Sequence, residues 1–251
     1  MSDLEFARTR RVICQADEVH VWRVALALDC EQLSALATLL SSDEYVHSLG
    51  FKDEKLRCRW IAARGALRVI LAAYIETEPG AVSFMTEPTG KPKLAAGSLS
   101  FNLTHTEYLA FIAITAGGSV GIDAEIVHPK FPWEDIGRTF FAREEVDAIF
   151  QLAPGLRARA FYACWTRKEA YLKAVGFGLR AAFDKFHVAV GSDEPLLVRV
   201  DGDPEEAEHW GLIDLSEAGV AVALATNPAK TIVRRFAFSI HRFDKWALYV
   251  A

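Results

Sequence analysis

Residues 109–115, Leu-Ala-Phe-Ile-Ala-Ile-Thr, carry no polar side chain before the final threonine. A β-strand of that composition has two apolar faces, so it must be covered on both. Such a strand lies inside the fold and not at a wetted face. The neighbouring segments fit that demand. Residues 99–103 set Phe101 and Leu103 against Ser100 and Asn102, the alternation of a half-buried strand. Residues 119–126 put Val120, Ile122 and Ala124 on one face and Gly121, Asp123 and Glu125 on the other. Gly117-Gly118 between the last two strands reads as a hairpin turn.

Helical patterns flank this block. Residues 45–74 are strongly helical with a break at Gly50, after Ser41-Ser42-Asp43-Glu44, which reads as an N-cap with an acidic first turn. Residues 30–40 form a shorter helix, and 20–28 a strand. Pro129 and Pro132 interrupt the chain. A helix over 133–150 then turns Phe140, Phe141, Val146 and Ile149 inward. Pro154-Gly155 reads as a turn, and 156–175 as a second long helix that Gly176 ends. Strands follow at 183–190, 196–200, 220–226 and 232–238. The expected fold is α+β, with an N-terminal half over 1–126 and a C-terminal half over 127–251.

Composition narrows the function. The 251 residues are 51% hydrophobic and 24% charged, which suits a folded domain of this size. The net charge of −5 argues against a nucleic-acid binder. The longest apolar stretch, 66–75, is short and contains Arg68, so it does not span a membrane. Cys14, Cys30, Cys58 and Cys164 lack metal-ligand spacing, and Met1-Ser2-Asp3-Leu4-Glu5 lacks a signal-peptide core. Both point to the cytoplasm.

Two positions carry chemistry. Asp123 and Glu125 lie side by side on one strand face, where two carboxylates repel unless a cation joins them. An Arg or Lys would serve, and so would a hard divalent ion completing its shell with water and phosphate oxygens. Gly121 on the same face leaves room for a ligand. On the helix over 156–175, Phe161, Cys164, Trp165 and Leu172 form the apolar stripe, and Glu169 sits at its border with Lys173 one turn on. A carboxylate there needs a partner, Lys173 or a metal. Elsewhere Pro92 stiffens the chain beside Lys91, and Lys52, Lys55, Arg57, Arg59, Arg64 and Arg68 make a basic helix face able to meet phosphate.

Four motifs occur in a telling order: Gly90-Lys91-Pro92, Phe101-Asn102-Leu103-Thr104-His105-Thr106, Val120-Gly121-Ile122-Asp123-Ala124-Glu125, and Trp165-Thr166-Arg167-Lys168-Glu169-Ala170-Tyr171-Leu172-Lys173-Ala174-Val175-Gly176-Phe177-Gly178-Leu179. With them the chain resembles a 4′-phosphopantetheinyl transferase of the larger, surfactin-synthetase type, over roughly residues 20–240. The resemblance implies a monomer of two pseudo-symmetric α/β halves, each a small antiparallel sheet packed on a long helix, with coenzyme A in the cleft between. It implies transfer of the phosphopantetheine arm to a serine of an apo acyl, peptidyl or aryl carrier protein, with release of 3′,5′-ADP. Asp123, Glu125 and Glu169 would hold Mg²⁺, or Mn²⁺ in its place. His105 and Lys91 would contact the coenzyme A phosphates, with Thr104 beside them. Lys173 would stabilise the pyrophosphate or assist the leaving group. Glu169, directly or through a metal-bound water, would be the base for the carrier serine. Gly176 and Gly178 would line the pantetheine arm. Lys130, Arg138, Arg143, Arg157 and Arg159 would meet an acidic carrier. The surfactin-type pattern has two lysines where this chain has Glu44 and His47, so the 3′-phosphate grip passes to Arg59, with Lys52, Lys55 and Arg64 as lesser candidates. The competing readings are a non-catalytic coenzyme A or carrier binder of the same fold and a metal-dependent phosphoesterase.

Overall fold

The computed structural model describes residues 12–176, 183–191, 197–241 and 245–250. Strand β1 (Glu18–Ala25) is followed by three helices, α1 (Cys30–Ala37), α2 (Ser42–Leu49) and α3 (Glu54–Ile75). Ser41 and Glu44 cap α2 reciprocally, each side chain bonding the other's backbone amide. Gly50 closes α2 and Asp53 caps α3, so the break falls where the glycine marked it.

The loop-rich stretch beyond α3 contains a 3-10 turn (Pro79–Ala81) and a hairpin of β2 (Phe84–Thr86) and β3 (Pro92–Leu94). Next come β4 (Ser100–His105), β5 (Leu109–Thr115) and β6 (Ser119–Ile126). The single helix expected over 133–150 is two helices, α4 (Trp133–Phe140) and α5 (Arg143–Gln151), because the backbone is extended at Phe141 and Ala142. That kink turns Phe140 outward, 45% exposed, while Phe141, Val146 and Ile149 stay buried. Helix α6 (Pro154–Val175) starts at Pro154 itself, where the expected turn would lie; proline's fixed φ suits a first helical turn. Gly176 ends α6 in the left-handed region, φ 85°, its amide donating to the Leu172 carbonyl.

The remaining strands are β7 (Phe186–Val188), β8 (Leu197–Val200), β9 (Gly211–Asp214), β10 (Val220–Asn227), β11 (Ile232–His241) and β12 (Lys245–Val250). Strand β7 is shorter than expected because Phe183–Lys185 coils into a 3-10 turn. Strands β9 and β12 go beyond those expected.

The larger sheet has the order β12-β11-β1-β5-β4 and is antiparallel except for the parallel pair β1 and β11. The second, β6-β10-β9, is antiparallel. Strands from either side of residue 126 thus share both sheets. Helix α3 covers the larger sheet, burying Leu67, Ile70 and Leu71 with Trp22, Ile112 and Phe236. Helix α6 covers the smaller one, with Ala170 and Ala174 packed in a core with Ala223 and Ala225. The two sheets meet through Val21, Phe111 and Ala113 on one side and Ile122, Ala124 and Leu224 on the other. All seven residues of β5 are buried in this α/β/β/α stack, as its composition demanded.

Gly117-Gly118 does not close a hairpin. It is a corner that carries the chain from one sheet to the other. Gly118 has φ 99°, and a Cβ there would stand 1.8 Å from the Asn227 carbonyl oxygen. Strand β4, at the edge of the larger sheet, is stitched to β6 when Asn102 Oδ1 accepts the Ile122 amide at 2.8 Å. Among the described residues no helix is long and apolar enough to cross a membrane.

Candidate active site

The alternation along β6 sends Gly121, Asp123 and Glu125 toward α6. The room at Gly121 belongs to the helix and not to a ligand: a Cβ there would come 2.1 Å from the Ala170 carbonyl oxygen and 2.4 Å from the Ala174 amide. Only glycine permits that approach. It brings Glu169 and Lys173 of α6 against Asp123 and Glu125 of β6.

Asp123 is 4% exposed. Lys173 Nζ lies 2.5 Å from its Oδ1, and Thr104 Oγ1 donates to the same oxygen at 3.3 Å. Lys173, which helical spacing offered to Glu169, therefore bonds across to the strand. Asp123 Oδ2 is buried without a hydrogen-bond partner. Burial, and then the charge of Asp123, push the Glu125 carboxyl up to about 7, with Glu169 adding and Lys173 opposing. Burial and Asp123 likewise raise Glu169 against the pull of Lys173. One ammonium among three carboxylates leaves negative charge uncompensated in a half-dry place.

That imbalance fits a hard cation. The donors are oxygens of the kind Mg²⁺ accepts, and the unpartnered Asp123 Oδ2 is the atom it would engage. Among the described residues no three acidic, imidazole or thiol groups stand close enough to enclose an ion unaided. A bound Mg²⁺ would complete its shell with water and substrate oxygens, as that ion commonly does.

Glu125 also lines a cleft of about 350 Å³ with Arg59, Trp60, His105, His128 and Tyr162. His105, exposed at the end of β4, is held below its ordinary pKa by partial desolvation, with the positive charges of Lys173 and Arg59 adding to the effect. Its ring can donate a hydrogen bond. Arg59 faces the same cleft, 4.0 Å from Glu107. No sequence motif points to Tyr162, although it lies two helical turns before Glu169 on one face of α6.

Lys91 and Gly176 are brought together elsewhere, in a second cavity of about 390 Å³ that also touches Lys93, Ser100 and Ser119. These serines begin β4 and β6, whereas His105 and Glu125 stand at or near their far ends. Lys91 Nζ donates to the carbonyls of Lys173 at 2.7 Å, Val120 at 3.1 Å and Ala174 at 3.4 Å. Its burial lowers its pKa. Gly178 lies outside the described residues.

The basic face of α3 is only partly a solvent face. Arg64 and Arg68 converge on Glu44 at 2.5 and 2.6 Å, and Arg68 is 2% exposed. Arg64 is thereby withdrawn from the phosphate candidates. His47 packs its ring on Phe51 and Trp60. Two further cations went unnoticed in the motif of α6. Lys168, wholly buried, pairs with Glu145 at 3.0 Å and donates to the Phe183 and Phe186 carbonyls. Arg167 donates to the Ala189 carbonyl and to Asp214. The available signal was crowding: four charges within seven residues cannot all face solvent beside an apolar stripe.

A family model for the 4′-phosphopantetheinyl transferase superfamily matches residues 119–225. The chain is 37% identical over 217 residues to the 4′-phosphopantetheinyl transferase HetI of Nostoc sp., covering 83% of this chain and 89% of that one. It is 30% identical over 219 residues to the slr0495 protein of Synechocystis sp., covering 82% and 87%. The 4′-phosphopantetheinyl transferase AcpT of Salmonella typhi is 31% identical over 121 residues, 48% of this chain and 59% of that one.

Proposed function

The chain belongs to the 4′-phosphopantetheinyl transferase superfamily, and from that premise we propose that it moves the 4′-phosphopantetheine arm of coenzyme A to a serine of an apo carrier protein, releasing 3′,5′-ADP. The observation that carries this reading is the buried meeting of Asp123 with Lys173, with the carboxyls of Glu125 and Glu169 crowded beside them. Motif order favours the larger, surfactin-synthetase type.

Phosphoryl transfer asks a protein for position and charge neutralisation more than for a nucleophile. Asp123, Glu125 and Glu169 would hold Mg²⁺, which would polarise the phosphoryl oxygens and orient the attack. Arg59 would face the 3′-phosphate and His105 would donate to a phosphate oxygen. Lys173, fixed by Asp123, would steady charge on the leaving 3′,5′-ADP. Glu169 would take the proton of the carrier serine as general base. Thr104 would hold Asp123 in place. Gly176 and Gly178 would border the pantetheine arm.

Mass spectrometry of apo acyl, peptidyl and aryl carriers incubated with the protein, coenzyme A and Mg²⁺ tests the proposal. A phosphopantetheine adduct on a carrier serine is expected. No adduct on any carrier would overturn it in favour of a binder, and coenzyme A cleavage without a carrier in favour of a phosphoesterase.

A further inference from the structure

We propose that Lys91 is a positioning residue for the transfer: together with Gly121 it sets how α6 crosses β6, and so where Lys173 and Glu169 stand over Asp123 and Glu125. This rests on the transferase reading and deepens it.

Lys91 belongs to neither of those elements. It enters from the turn between β2 and β3, which is tied by the Gly90 amide to the Glu87 carbonyl at 2.8 Å and the Glu87 amide to the Lys91 carbonyl at 2.9 Å. Pro92 then restricts the chain. From that firm base the ammonium reaches Val120, which precedes Gly121 on β6, and the carbonyls of Lys173 and Ala174 in the last turn of α6. Those last carbonyls have no partner within the helix and carry its partial negative charge, so a cation is at home there. One side chain thus joins the two elements that carry Asp123, Glu125, Glu169 and Lys173.

Lys173 is held at both ends as a result. Its carbonyl is fixed by Lys91 at 2.7 Å and its Nζ by Asp123 at 2.5 Å. Gly121 supplies the complementary constraint, since any Cβ there would push the backbone of α6 away. A direct phosphate contact by Lys91 has less support. An ammonium has three protons, and three carbonyls accept them.

The test is steady-state transfer and calorimetric coenzyme A binding for Lys91→Met, Lys91→Arg and Gly121→Ala. Lys91→Met should lower kcat by about 10- to 100-fold, the cost of a small misplacement of reacting groups. Its coenzyme A Kd should stay within about twofold. Lys91→Arg, which still donates to carbonyls, should recover much of kcat, and Gly121→Ala should repeat the pattern of Lys91→Met. A raised Kd with kcat kept would overturn the inference and return Lys91 to phosphate binding. If Lys91→Met or Gly121→Ala does not fold, Lys91→Gln in wild-type and Lys173→Ala backgrounds decides. Loss of kcat only when Lys173 is present supports positioning; equal losses in both overturn it. A wild-type protein that transfers nothing overturns the transferase reading as well, whereas an active wild type with an unimpaired Lys91→Met overturns the positioning role alone.

Discussion

Replacing Glu125 by glutamine should make the protein more stable at alkaline pH. The Glu125 carboxyl is half-buried between Asp123 on its own strand and Glu169 on α6, with Lys173 as the opposing cation; His105 and Arg59 share its cleft. Burial first, then those acidic neighbours, push it from 4.5 to about 7. Between those values the folded chain keeps a proton that the unfolded chain releases. The resulting stabilisation is complete below about pH 4.5 and is lost as pH rises through about 7. At about 1.4 kcal/mol per tenfold change in proton affinity, the full difference is about 3.4 kcal/mol. The side chain opens onto the cleft, so screening by water reduces this by somewhat more than half, to about 1.5 kcal/mol. Glu125→Gln keeps the shape and removes the titration. Urea denaturation of both proteins from pH 5 to pH 8, with a chelator present, should show similar stability at the acid end and the glutamine variant ahead by about 1.5 kcal/mol at pH 8. Adding Mg²⁺ at pH 8 should close that gap by stabilising the wild type. Parallel stability curves without metal would refute the reasoning, because they would mean that neither burial nor the acidic neighbours raise the Glu125 carboxyl.

Other substitutions separate the roles of the remaining charges. Asp123→Asn removes the partner of Lys173 and should abolish transfer while circular dichroism stays native; near-normal turnover would take Asp123 out of the site. Lys168→Met strands the buried Glu145 and should cost about 3–5 kcal/mol in urea denaturation. Adding Glu145→Gln to it should recover part of that loss, and simple additivity would count against a coupled pair. Arg59→Ala should weaken coenzyme A by about 1.5–3 kcal/mol, the range for a charged hydrogen bond, and weaken 3′-dephospho-coenzyme A less. Equal calorimetric losses for both would locate the 3′-phosphate grip elsewhere.

Local patterns announced most of the elements. The apolar run of β5, the alternation of β6 and the Ser41 cap of α2 each rest on interactions within a few residues, and each is found in the structure. What they left open is pairing between distant segments. The composition of β1 says that it is a strand, but its parallel partner β11 begins more than two hundred residues later. A pair of glycines between strands marks a reversal, yet at Gly117-Gly118 the strands part into different sheets because β6 finds β10 as its partner. Gly121 shows the same limit at the site. Its missing side chain reads alike for a ligand and for a helix, and only the placement of Ala170 and Ala174 decides between them.

Glu44 and His47 follow from the same logic of partners. Alone, an acid where the surfactin-type pattern has a lysine reads as a defect in the phosphate grip. In the fold, that position faces Arg64 and Arg68, and Arg68 is further held by the carbonyls of Pro79, Gly80 and Val82. A lysine at 44 would set three cations against one another in a nearly dry place, so the acid and the two arginines form one unit that fastens α2 to α3. His47 meanwhile packs edge-on against Phe51 and at a tilt against Trp60, both of which line the cleft. The wall that would otherwise be basic is therefore aromatic, and Arg59 is the cation it presents. For that reason the difference between coenzyme A and its 3′-dephospho form should collapse in Arg59→Ala, whereas Arg64→Ala should leave the difference intact and cost stability instead, because it releases one side of Glu44.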